Sequence, residues 1–76
     1  MKLTKLSTNA HLVSHGDRHI LFSYETAVAY YKDDTLYQWD DITKTSKKHV
    51  NQAFNRMEKT ELSTLKFKEG LNQVFL

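Results

Sequence analysis

Cysteine and proline are missing from this 76-residue chain, and glycine occurs only twice, as Gly16 and Gly70. Without cysteine there is no disulfide framework, no thiolate nucleophile and no thiolate metal site. That suits a reducing compartment. So little glycine, and no proline, argue against a long linker or a disordered tail. No apolar run approaches the roughly 20 residues of a membrane-spanning helix. The opening Met-Lys-Leu-Thr-Lys-Leu lacks the apolar stretch of a signal peptide. The expectation is a single domain over residues 1–76, cytoplasmic and away from any membrane. A chain this short buries a modest core, which sets an expected stability of roughly 3–5 kcal/mol.

What is present is mostly strand. Lys2 to Leu6 alternates polar and apolar, as a short edge strand or a frayed end does. Ala10 to His15 reads as a strand, turned at His15-Gly16-Asp17, where glycine reaches positive φ cheaply. In Arg18 to Tyr24 the residues Ile20, Phe22 and Tyr24 share one side, and His19, Leu21 and Ser23 the other. Ala27 to Lys32 follows, with Val28 and Tyr30 assigned to one face and Ala27, Ala29 and Tyr31 to the other. Asp33-Asp34 suits a two-residue hairpin reversal, and Thr35 to Trp39 completes a meander.

The pattern then changes period. Thr43, Thr45 and Ser46 offer oxygens to the free amides of a helix start. Val50, Ala53, Phe54 and Met57 recur at helical spacing as one apolar stripe. Beyond Thr60 the pattern is weaker. It suits a helix over Leu65 to Phe75 capped by Thr64, with a strand over Glu61 to Phe67 as the competing reading. The expected fold is α+β: a small antiparallel sheet of three to four strands, packed by one amphipathic helix, with a short C-terminal helix.

Charge is segregated. Between Glu25 and Asp41 five acids stand against Lys32 alone, and between Lys44 and Lys59 five bases stand against Glu58 alone. Such a dipole orients an approaching partner.

Few residues promise chemistry. His11, His15 and His19 are evenly spaced but straddle a glycine turn, so the spacing gives them no common face, and no metal site is expected. Asp33-Asp34 and Asp40-Asp41 read as solvated turn acids, not as an acid–base pair. Ser23 and Ser46 lack a nucleophile signature. No catalytic residue and no cofactor is expected. The helix start is more suggestive. Lys44, Lys47, Lys48 and His49 stand where a helix dipole prefers acids, and Asn51 lies one turn further on. An anionic partner would explain that, as would a solvated lysine face countered by Asp40 and Asp41. Tyr31, Tyr37 and Trp39 are candidate exposed aromatics for a hot spot or for base stacking. A second small core beneath the tail would use the same rings.

Leu21-Phe22-Ser23-Tyr24-Glu25-Thr26-Ala27-Val28-Ala29-Tyr30, a polar hairpin, and Lys44-Thr45-Ser46-Lys47-Lys48-His49-Val50-Asn51 together resemble a family of short phage and prophage proteins of unknown function. Its pattern pairs an FSYxTxVA strand motif with a TTxKHIN-like helix start. Ala27 stands where that family often has proline, and Ser46 where it often has a second threonine. The likeness spans residues 20–55 and leaves the tail from Lys59 uncovered. It implies an accessory protein of a phage or mobile element acting in the host bacterial cytoplasm.

The expected function is therefore non-enzymatic. The protein would occlude a host protein complex, such as a defence or nucleic-acid-processing effector, as an anti-CRISPR-like inhibitor. The expected contact residues are Lys44, Lys47, Lys48, His49, Asn51, Tyr37 and Trp39. The alternative is direct nucleic-acid binding, with lysines on phosphates and sheet aromatics on bases. Either a monomer or a homodimer is compatible, the latter by pairing of edge strands at Lys2 to Leu6 or Thr35 to Trp39.

Overall fold

The computed structural model describes residues 1–76. The elements run β1 (Lys2–Ser7), β2 (Ala10–His15), β3 (Arg18–Ser23), β4 (Thr26–Lys32), β5 (Thr35–Trp39), α1 (Lys44–Ala53), β6 (Lys59–Leu62) and α2 (Thr64–Leu71). All six strands form one sheet in the order β1-β2-β3-β4-β5-β6. Pairing is antiparallel except between β5 and β6, which run parallel.

This corrects the expected three- to four-stranded antiparallel meander. β6 is only Lys-Thr-Glu-Leu, too short and polar to announce itself, and it pairs because α1 carries the chain back to lie alongside β5. Thr35–Trp39 is consequently an interior strand, and the free edges belong to β1 and β6.

Three hairpins turn without glycine, and two of them use positive φ at both central residues. Tyr24 and Glu25 have φ of 53° and 69°, and Asp33 and Asp34 have φ of 52° and 61°. Positive φ at both central residues is the conformation whose twist matches the flanking strands.

Each sheet face has its own core. Leu21, Val28, Ala29 and Leu36 lie buried with Val50 of α1. Ile20 and Tyr30 lie buried with Phe67 of α2 and with Val74, and Tyr37 and Trp39 pack around them. The domain is thus three layers deep. Strand alternation predicts most of this division, but it places both Val28 and Ala27 on the wrong face. Leu21 pairs with Ala29 and Phe22 with Ala27, so Val28 has no partner across the ladder. That bulge turns Val28 onto the α1 side with Ala29 and Tyr31, and leaves Ala27 and Tyr30 on the α2 side.

α1 begins as expected: the Thr43 hydroxyl accepts the Ser46 N–H at 3.1 Å. It ends sooner. Phe54 closes the helix, Asn55 and Arg56 follow at positive φ, and Met57 is turned out to solvent. The apolar stripe therefore stops at a half-buried Phe54. In the tail the helix prevails over the competing strand of Glu61 to Phe67: that stretch is helical from Thr64, and the strand that does form lies earlier, at Lys59–Leu62. Ser63, not Thr64, precedes α2, and the helix ends at Leu71. Val74 and Phe75 still turn inward, and the Arg18 guanidinium donates to the carbonyls of Val74 at 3.1 Å and Leu76 at 2.7 Å.

Candidate functional site

Ser23 is the last residue of β3, and Ser46 and His49 lie in α1. The Ser23 hydroxyl is 2.9 Å from Ser46 Oγ and 2.7 Å from His49 Nδ1. Thr43 Oγ1 donates to Ser46 Oγ at 3.1 Å while capping the helix. Every hydroxyl donates once if Thr43 gives to Ser46, Ser46 to Ser23, and Ser23 to His49 Nδ1. His49 then carries its proton on Nε2. Because Ser23 and Ser46 are both buried, the chain of hydroxyls also fastens the helix start to the sheet.

A groove of about 600 Å³ opens over this network. Ser23, Thr26, Thr43, Thr45 and Ser46 line it, with Tyr24, Trp39, Val28, Ile42 and Asp41. Tyr24 is 54% exposed, holds a positive φ and sets its ring 5.8 Å from that of His49. A bulky side chain in the left-handed region is strained, and such strain clusters at binding and switch sites. A hydroxyl beside an imidazole is also the geometry of a nucleophile and its base. Here, however, the Ser23 hydroxyl is engaged by two neighbours and almost wholly covered. The hydroxyls free to meet a partner's polar group are those of the exposed Thr26 and Thr45, beside the exposed Tyr24 ring.

The expected contact residues divide into two groups. Lys44, Lys47 and Lys48 are exposed along α1, whose first turn contains no acid. His49 is half-buried in the hydroxyl network. Asn51 is half-buried, with Oδ1 covered and without a hydrogen-bond partner. Tyr37 and Trp39 lie on the opposite face of the sheet, beneath α2. Tyr37 stacks on Tyr30 at 5.0 Å, and Trp39 on Phe67 at 6.1 Å. Trp39 Nε1 donates to Thr64 Oγ1 at 2.8 Å, and the residue also borders the groove. The structure therefore joins Lys44, Lys47, Lys48, His49 and Asn51 on one helix and sets Tyr37 apart from them. The rings that sequence offered as a stacking surface form the second core instead. Tyr31 belongs to the α1 side, stacked on Phe54 at 6.2 Å.

Ser23, Tyr24, Thr26 and Thr43 were missed as site residues. Three of them belong to the strand motif, so the signal was its pairing with the helix-start motif. No three His, Cys, Asp or Glu side chains converge closely enough to hold a metal ion. His19 instead bonds Ser14 Oγ through Nδ1 at 2.6 Å, and His15 meets Phe75 edge-on.

The class so defined is a small three-layer α+β domain on a mixed six-stranded sheet, with a serine- and threonine-lined groove where β3 meets α1. The chain belongs to a family of unknown function (DUF8033), whose model matches residues 1–70. That match extends through β6 and most of α2, well beyond the 20–55 stretch that carried the motif likeness. No curated protein and no solved structure matches the chain. No helix is long and apolar enough to cross a membrane.

Proposed function

We propose that this protein is a non-enzymatic docking module that occludes a surface of another protein, using the groove at the start of α1 and the lysines beside it. One observation carries the reading. The two motif segments, distant in sequence, meet through Ser23, Ser46 and His49 beside a groove that Asp41 also lines, next to a helix start that carries exposed lysines and no acid in its first turn. Lysines there oppose the helix dipole, so an isolated helix gains nothing from them. A carboxylate-bearing segment of a partner would be drawn to Lys44, Lys47 and Lys48 along α1 and would meet the exposed hydroxyls of Thr26 and Thr45 beside them.

The setting proposed with it is that of a phage or mobile-element accessory protein acting on a host defence or nucleic-acid-processing complex in the bacterial cytoplasm. That setting rests on the motif resemblance. The nucleic-acid alternative retains the lysine face, but Tyr37 and Trp39 are engaged by α2, which removes the stacking platform from its support.

Side-by-side affinity capture from bacterial host lysate, with wild type and Lys47→Glu/Lys48→Glu, tests the reading. A protein enriched by wild type and lost from the variant supports it; equal recovery overturns it. Oligonucleotide binding that falls steeply with salt would favour the alternative. Trp39→Asp is unsuited as a contact probe, because Trp39 is packed against Phe67.

A further inference from the structure

One flank of the sheet is left without a lid. α1 packs chiefly on β3 and β4, and α2 chiefly on β5 and β6; on the α1 side Leu6 of β1 still reaches the core, whereas on the α2 side no residue of β1 joins it. Leu3 leaves 68% of its surface to solvent and Met1 82%. On the α2 side a cross-strand row runs Leu3, Val13, Ile20, Tyr30, Tyr37 and Thr60 through all six strands. Phe67 and Val74 close over this row at Ile20 and Tyr30, and the cover has gone by Leu3. The outer backbone groups of β1 also have no strand beside them. The opposite edge differs: β6 has four residues, two of them charged, and Glu61 accepts from Gln38 Nε2 at 3.4 Å.

We propose that β1 pairs antiparallel with β1 of a second copy, about a two-fold axis at Leu3, so that one sheet runs through both molecules. The register follows from side-chain chemistry. An axis perpendicular to the sheet keeps faces matched only when it passes through a residue position. Centred on Leu3, it sets Leu3 against Leu3, Lys2 against Thr4, and Met1 against Lys5. Only residues before the irregularity between Lys5 and Ser7 are used. Centring on Lys2 or Lys5 would place like charges directly opposite, which is unfavourable. Centring on Thr4 would carry Leu6 across the irregularity and part the two Leu3 side chains. The lysines that ordinarily guard an edge thus select one register here. The exposed Leu3 and Met1 gain cover from each other's copy and from the Lys5 stem.

Because the chain has no cysteine, the axis can be read by cross-linking. Directly opposed residues have Cβ atoms about 4.5–5.5 Å apart, within reach of a disulfide after small adjustment. Sedimentation of the wild type at submillimolar concentration should show a dimer. Leu3→Lys, which sets two ammonium groups face to face, should weaken it roughly tenfold or more with an unchanged circular-dichroism spectrum. Leu3→Cys should oxidise to a cross-linked dimer well ahead of Thr60→Cys on the β6 edge. A wild type that is monomeric throughout, a dimer unaffected by Leu3→Lys, or equal cross-linking at Thr60 would each overturn the proposal.

Discussion

Ser23 joins two segments of the chain more than twenty positions apart, and its hydroxyl is shared between Ser46 and His49. Removing one member of a buried hydrogen-bonded group leaves the others unsatisfied. Ser23→Ala should therefore lower unfolding free energy by about 1–3 kcal/mol in urea titration. Ser23→Ala combined with Ser46→Ala should cost less than the sum of the two. Gly70 shows a different constraint. Glycine inside a helix loses about 1 kcal/mol against alanine, yet a Cβ at this position would collide with Tyr30 Oη and lie 2.8 Å from Tyr30 Cζ. Gly70→Ala should destabilise by roughly 1–3 kcal/mol despite its better propensity, and Tyr30→Phe in the same chain should recover part of the loss. Thermal melts of the two variants check this. Tyr30 also responds to pH. Burial, and then neighbouring Tyr37, raise its phenol above the ordinary value. The folded state thus favours the neutral ring, and this stability is complete below the unfolded phenol pKa of about 10. It declines as pH rises through that value towards the folded one. Melts across alkaline pH should show the decline, and Tyr30→Phe should shrink it.

At the scale of elements, the turns do as much as the strands. Asp33 and Asp34 both occupy the left-handed region that a tight hairpin demands. Asp34→Gly relieves that strain at one position and gives up only the exposed hydrogen bond that the Tyr31 hydroxyl donates to Asp34 at 3.2 Å, so it should raise the denaturation midpoint. An unchanged or lower midpoint would contradict the turn assignment. The bulge at Val28 redirects a strand that would otherwise send that valine to the α2 side. Asn55 and Arg56 likewise cut α1 short, which is why Met57 leaves the apolar stripe. Phe54 is only half-buried, so Phe54→Ala should fall below the roughly 3–5 kcal/mol that a fully buried phenylalanine would give.

Across the whole molecule, charge and stability separate. The lysines of α1 lie on a solvent face and oppose the helix dipole, whereas acids in that turn favour it by about 0.3–1 kcal/mol each. Lys47→Glu/Lys48→Glu should leave the melting midpoint unchanged or slightly raised while abolishing partner capture. A variant that lost both together would mean the lysines serve the fold. α1 covers one sheet face chiefly over β3 and β4, and the α2 segment covers the other from β6 as far as Ile20 of β3. On that second face the cover stops short of Leu3, which leaves the outer edge of β1 open to a second copy.

Local features were enough to place β2 through β5, the Asp33-Asp34 reversal, the Thr43 cap and Val50 inward. Each depends on neighbours within a few residues, where alternation, helical spacing and capping chemistry act. What lay beyond reach depended on partners distant in the chain. Lys59–Leu62 becomes a strand only because α1 returns it to β5, and Val28 changes face only because β3 is one residue shorter across the ladder. For Tyr37 and Trp39 the sequence offered both a contact surface and a second core beneath the tail, and Phe67 arriving from the tail decides for the core. The groove itself exists only where Ser23 meets Ser46 and His49. Short-range steric and hydrogen-bonding preferences thus determined the elements, whereas long-range burial and strand pairing decided which faces they show.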